Sequence, residues 1–127
     1  MQKDIDYWLE LSKYDIKTAD AMFKSRRYLY VLFTCQQAVE KMLKALVTKN
    51  IKKFPPKTHD LLKLTELSGI DVDETKKEFL SRLSFYYIET RYPQEIARIS
   101  KDINKKIAHE YLKNTKELLR WLKRKLN

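Results

Sequence analysis

A single glycine, Gly69, and three prolines are all that 127 residues offer for tight chain reversals. A loop-rich all-β protein, a collagen-like chain and a flexible linker protein all need far more of both, so these classes are excluded. What remains is a chain built from long, uninterrupted segments. Its apolar residues recur at about 3.6-residue spacing, the period of helices with one buried face.

Five helical segments follow from that period. The first, about Asp4 to Ser25, sets Ile5, Trp8, Leu9, Ser12, Ile16, Ala19 and Phe23 on one face and Asp6, Glu10, Lys13 and Lys17 on the other. The second, about Tyr28 to Asn50, is apolar around much of its girth, which predicts that it lies at the centre or faces a second subunit. Pro55 and Pro56 break the chain, and Thr58 is a suitable N-cap for a short third helix, about His59 to Ser68, that Gly69 stops. A fourth runs from about Glu74 to Thr90, ending before Tyr92-Pro93 because a residue preceding proline avoids helical geometry. Its stripe is Phe79, Leu80, Leu83, Tyr86 and Tyr87, while Phe85 and Ile88 fall outside it and suggest a further contact. The fifth, about Lys101 to Leu126, starts from a Ser100 cap and carries one broad apolar face. The expectation is an all-α, up-and-down bundle of about five helices forming one domain over residues 1–127.

Lys and Arg number 27 against 17 Asp and Glu, a formal charge of +10. Such a surplus asks for an anionic partner. It is concentrated: residues 98–127 hold ten cations and three anions, and residues 41–57 hold six cations and no anion. The lone Cys35 cannot form an internal disulfide and no basic-then-apolar leader opens the sequence, so a reducing cytoplasm is expected. The longest uncharged run, Tyr28 to Val39, is too short and too polar to cross a bilayer, so no membrane association is expected. Two histidines and one cysteine, without metal-ligand spacing or a Gly-rich phosphate loop, predict no metal and no cofactor.

Four places remain where chemistry could reside. Gln36 and Glu40 share a helix face that borders the apolar stripe, where polar groups need partners; this describes equally a structural network and a ligand-facing one. In Thr58-His59-Asp60, Asp60 suits the first helical turn, leaving His59 free. Arg91 closes the fourth helix, where it could satisfy carbonyls or grip an anion. His109 lies among Lys105, Lys113, Lys116 and Arg120, off the apolar arc, as an exposed residue or as a general acid or base on a phosphodiester.

Taken together, Trp8, the segment Gln36-Gln37-Ala38-x-Glu40-Lys41-x-x-Lys44-Ala45, Thr58-His59-Asp60-Leu61, Arg91-Tyr92-Pro93 and a last amphipathic helix ending near Trp121 resemble the HEPN family. The likeness spans nearly the whole chain and is to the Arg-Tyr-Pro subgroup. It implies an antiparallel helical bundle, usually a homodimer, similar to the helical domain of kanamycin-type nucleotidyltransferases. It also implies nucleotide binding and a minimal nucleotidyltransferase partner, in complexes or toxin and antitoxin pairs. Many family toxins are metal-independent RNases with an Arg and a His separated by four to six intervening residues. Here Asn104 stands where that arginine would precede His109, and asparagine cannot supply the cation that stabilises a pentacoordinate phosphate.

The resulting expectation is a non-catalytic module that binds a nucleotide or other phosphorylated ligand through Gln36, Glu40, Lys41, Lys44, His59, Arg91 and Tyr92. Lys41 and Lys44 would supply charge, Arg91 a bidentate phosphate contact and Tyr92 a stacking face. The alternatives are an RNase using His109 and a module that binds nucleic acid through backbone phosphates alone.

Overall fold

The computed structural model describes residues 1–127. Six α-helices and no strand make up the chain: α1 (Gln2–Lys24), α2 (Tyr28–Ile51), α3 (Leu61–Ser68), α4 (Glu74–Ser84), α5 (Pro93–Lys101) and α6 (Lys105–Leu126). The class is all-α, as the apolar period predicts, with one helix more than expected.

The breadth of apolar residues on α2 places it at the centre, touching each of the other five helices. Val31, Leu32, Cys35, Val39, Leu43 and Leu46 are fully buried along it. The α1 helix lies against α2 through Ile5, Trp8 and Ala19, and the buried Ser12 hydroxyl donates to the Ala38 carbonyl at 2.8 Å, tying the two backbones. The α6 helix, which packs on both α2 and α1, contributes Ala108, Leu112, Leu118 and Leu122. Leu61 and Leu64 of α3, with Leu80 and Leu83 of α4, complete the core, and hydrogen bonds from Gln36 to the His59 carbonyl and from Asn50 to the Ser68 carbonyl set α3 along α2. No helix is long and apolar enough to cross a membrane.

Three helix ends differ from the sequence expectation, each for a local reason. Asp60, rather than Thr58, caps α3: its Oδ1 accepts from the Leu62 and Lys63 amides at 3.0 and 3.3 Å. A carboxylate satisfies two orphan donors where the dipole favours negative charge, so it outcompetes the hydroxyl. Thr58 instead accepts from the Asp60 amide at 3.2 Å, which fixes the approach to the cap. The fourth helix stops at Ser84, because the amides of Tyr86 and Tyr87 turn back to Leu83 and Ser84 in three-residue reversals. Ile88 thereby turns into the core and is buried, whereas Phe85 remains half exposed.

Pro93 then opens α5 rather than merely ending its predecessor, since a proline at the first helical position gives up no hydrogen bond. Ser100 consequently falls inside α5. The last helix is capped by Asn104, whose Oδ1 accepts from the Ile107 amide at 2.9 Å. Gly69 ends α3 at φ +74°, a left-handed position that costs glycine little, as its placement predicts.

Candidate functional site

Successive turns of α2 set Gln36, Glu40 and Lys44 in a row on one face, and the packing of α1 and α3 buries all three. A carboxylate taken out of water needs several donors, and Glu40 has them. Its Oε2 accepts from Lys44 Nζ at 3.1 Å, and its Oε1 accepts from Gln36 Nε2 at 3.2 Å and from the ring nitrogen Nδ1 of His59 at 2.9 Å. Gln36 also donates to the His59 backbone carbonyl at 3.1 Å and accepts from Gln37 Nε2 at 2.7 Å. Every polar atom of this row is therefore paired.

The network reaches outward through His59. Because an ionised carboxylate only accepts, Nδ1 carries the proton toward Glu40, and Nε2 is left as the free nitrogen of the neutral ring. The imidazole is stacked on Tyr87 with centroids 3.8 Å apart and planes 11° from parallel. Tyr87 in turn donates to Glu89 at 3.0 Å. Burial pushes its hydroxyl up to about 12, with help from the Glu89 hydrogen bond and the negative charges of Glu89 and Glu40. Two contacts thus hold the imidazole, an acceptor at its edge and a ring across its face.

His59 lines a wide, open cleft of about 600 Å³ that also includes Asp60, Ser84, Phe85, Tyr87 and Arg91. The chain reversal after α4 brings Arg91 there. Its Nη1 donates to Glu95 at 2.9 Å, its Nη2 donates to the Phe85 carbonyl at 2.8 Å, and its guanidinium lies 4.2 Å over the Phe85 ring. Its Nε is buried without a hydrogen-bond partner. Ser84 accepts from the Leu61 amide at 3.0 Å and so fastens the end of α4 to the start of α3 beneath the cleft.

The residues singled out by sequence fall into two sets. Gln36, Glu40, Lys44 and His59 form one connected network, and His59 and Arg91 share one cleft. Lys44 is turned inward, its ammonium on Glu40 and 5.4 Å over the Trp8 ring. Lys41 points to α1, where it pairs with Asp15 at 3.3 Å and Gln37 at 3.2 Å. Burial raises the Asp15 carboxyl above its usual range, and Lys41 opposes that rise. Tyr92 follows Arg91 and is 74% exposed.

His109 stands elsewhere, exposed on α6 with its ring centroid 5.9 Å from that of Phe23. Asn104, at the position of the absent arginine, is occupied as the α6 cap. No three His, Cys, Asp or Glu side chains converge as metal ligands. Tyr87, Ser84 and Glu95 belong to the site yet were not marked by the sequence. Tyr87 reads as a core aromatic of α4, and nothing in its spacing reveals that the helix ends three residues earlier and hands its ring to His59.

Comparison with known proteins agrees with this architecture. A crystal structure of TT1696 from Thermus thermophilus is 28% identical, with a TM-score of 0.77, covering 95% of this chain and 97% of that one. That of ST0689, described as an archaeal HEPN homologue, is 16% identical with a TM-score of 0.67 over 97% and 98% of the two chains, a likeness of fold. No curated protein matches significantly. Residues 5–125 match the HEPN domain family, and with nearly the whole length so matched, the chain belongs to that family.

Proposed function

We propose that the protein is a non-catalytic HEPN module that binds a nucleotide or another phosphorylated ligand in the cleft between His59 and Arg91. The observation that carries this reading is the meeting of those two side chains in one open cleft, with His59 fixed from behind by the buried Glu40. A phosphate suits both: the imidazole binds it as a cation when protonated, and the Arg91 guanidinium, whose fork matches phosphate geometry, exchanges its part-exposed Glu95 partner for it. The Phe85 ring is already covered by the Arg91 guanidinium, so the flat surface open to a base or ring is that of Tyr92, exposed and next to Arg91 in the chain. Lys41 and Lys44, each committed to a carboxylate, serve this reading as supports of the network rather than as phosphate contacts.

Titration calorimetry with AMP and ATP tests it. Binding is expected, with affinity reduced roughly tenfold or more in His59→Ala and in Arg91→Ala, the size of one lost charge-assisted contact. No heat and no change in melting temperature with either nucleotide overturns it. By family likeness the module works as a homodimer beside a minimal nucleotidyltransferase, in a toxin-antitoxin-like pair. Co-purification with a nucleotidyltransferase encoded next to it is the expected result; its absence on co-expression removes that part.

A further inference from the structure

The geometry points to a second anion site, between α4 and α6, that takes a short polyphosphate chain. It lies on the flank of α4 away from the His59 cleft and shares no residue with it: a cleft of about 400 Å³ whose cations are Lys76, Arg82 and Arg124. Glu117 is the one acid in its lining.

Structural duties account for one of these cations and leave two. Lys76 pairs with Asp73 at 3.3 Å and lies 4.6 Å over the Trp121 ring, on which Lys125 also rests at 4.8 Å. Arg91 is the only arginine of the chain in a salt bridge. Arg82 and Arg124 are exposed, carry no such pair, and approach one cleft from two different helices. Phe79 and Leu118 form its apolar floor, which weakens solvent screening beside the guanidinium groups.

The arrangement also selects among anions. A nucleobase stacking on Trp121 would have to displace an ammonium already bound to that ring, at a cost in cation–π energy. Trp121 therefore serves to hold lysine charge beside the cleft, and what fits is a compact polyanion rather than a flat ring. Three cations, two of them forked donors, match two or three linked phosphate groups, and the volume suits a small ligand. Inorganic polyphosphate and the triphosphate tail of a nucleotide share this chemistry.

Sodium tripolyphosphate and ATP, titrated calorimetrically into the full-length protein, distinguish the two sources. Tripolyphosphate is expected to bind and to change Trp121 fluorescence, because Trp8 is buried away from the cleft. Binding should weaken roughly tenfold or more in Arg82→Ala/Arg124→Ala, two exposed positions whose loss spares the fold, as circular dichroism would check. It should survive in Lys105→Ala/Lys113→Ala, which removes the same net charge elsewhere on α6. Titrated into His59→Ala, where the other cleft is disabled, ATP should bind no more tightly than tripolyphosphate, because the phosphate chain alone is recognised; tighter ATP binding there would overturn the exclusion of the base. Equal weakening in both double variants would reduce the effect to diffuse charge and overturn the site. So would absence of tripolyphosphate binding, or binding lost in His59→Ala but kept in Arg82→Ala/Arg124→Ala, which would move the ligand to the other cleft.

Discussion

The two histidines of this chain differ both in the charge around them and in how their rings are held. His109 sits amid Lys105, Lys113 and Lys116, the denser cationic surroundings, yet its ring lies beside Phe23 and makes no hydrogen bond. His59 has fewer cations nearby, but a buried carboxylate fixes one ring nitrogen and Tyr87 fixes the ring plane. An exposed imidazole without an orienting partner samples many rotamers, and any contact it makes must repay that entropy. The His59 ring is already held. The difference teaches that charge density on α6 marks an electrostatic face, whereas the Glu40 network marks a prepared position.

The sharpest way to break the comparison is to remove what prepares His59. Glu40→Ala leaves the Lys44 ammonium buried without its counter-charge, and breaking a buried pair in this manner costs about 3–5 kcal/mol. Urea unfolding should show that loss. Replacing the pair together, Glu40→Leu with Lys44→Met, should recover much of it, since neither charge is then stranded. If Glu40→Ala proves as stable as wild type, the network is no anchor. Less severe is the exchange of the histidines themselves. His59→Ala should weaken nucleotide binding by about 1.4 kcal/mol, a factor of ten, and His109→Ala should leave it within error. Equal losses would erase the distinction between a charged face and a built cleft.

A smaller effect concerns the turn that delivers His59. Asp60→Ala removes the α3 cap and should cost about 1 kcal/mol in thermal unfolding, with weaker ligand binding as the preceding residue loosens. Thr58→Ala, which removes one exposed bond to the Asp60 amide, should cost only a few tenths. The reverse order would restore the threonine as the cap.

How much of this was legible beforehand follows the range of the forces involved. The central position of α2 was readable because apolar residues around most of its girth admit no other place. Gly69 was readable because the left-handed stop of a helix singles out glycine. The Gln36, Glu40 and Lys44 row could be placed on one face by spacing alone, and His59 and Arg91 stood out as residues. What spacing could not supply is that a chain reversal after Ser84 swings Arg91 into the cleft of His59 and turns Ile88 inward. That reversal rests on three-residue hydrogen bonds at Tyr86 and Tyr87, which an apolar stripe continuing in helical register conceals. Likewise Thr58, Ser100 and Asn104 are all legitimate caps by type, and local competition decides among them: Asp60 displaces Thr58, and a helix opened by Pro93 takes in Ser100 and leaves Asn104 as the cap.

The smallest expected effect tests whether Tyr87 is bound into the network or merely adjacent. Its hydroxyl, held up to about 12 in the folded protein, titrates near 10 in the unfolded chain. Between those values the unfolded chain has released a proton that the native protein keeps, so stability falls as pH rises; the contribution is whole below about pH 10 and gone by about pH 12. Cys35, which burial also pushes up to about 12, adds a loss of the same sign that begins lower, near pH 9. Comparison with Tyr87→Phe separates the two, because phenylalanine keeps the ring against His59 and removes the titrating group. Its alkaline limb of stability against pH should be shallower than that of the wild type above pH 10 and parallel to it below. Because Tyr87 is only partly buried, water screens much of the shift and the gap should be modest. Superimposable curves would mean that the Tyr87 hydroxyl is free to ionise, leaving ring stacking as the only hold that Tyr87 has on His59.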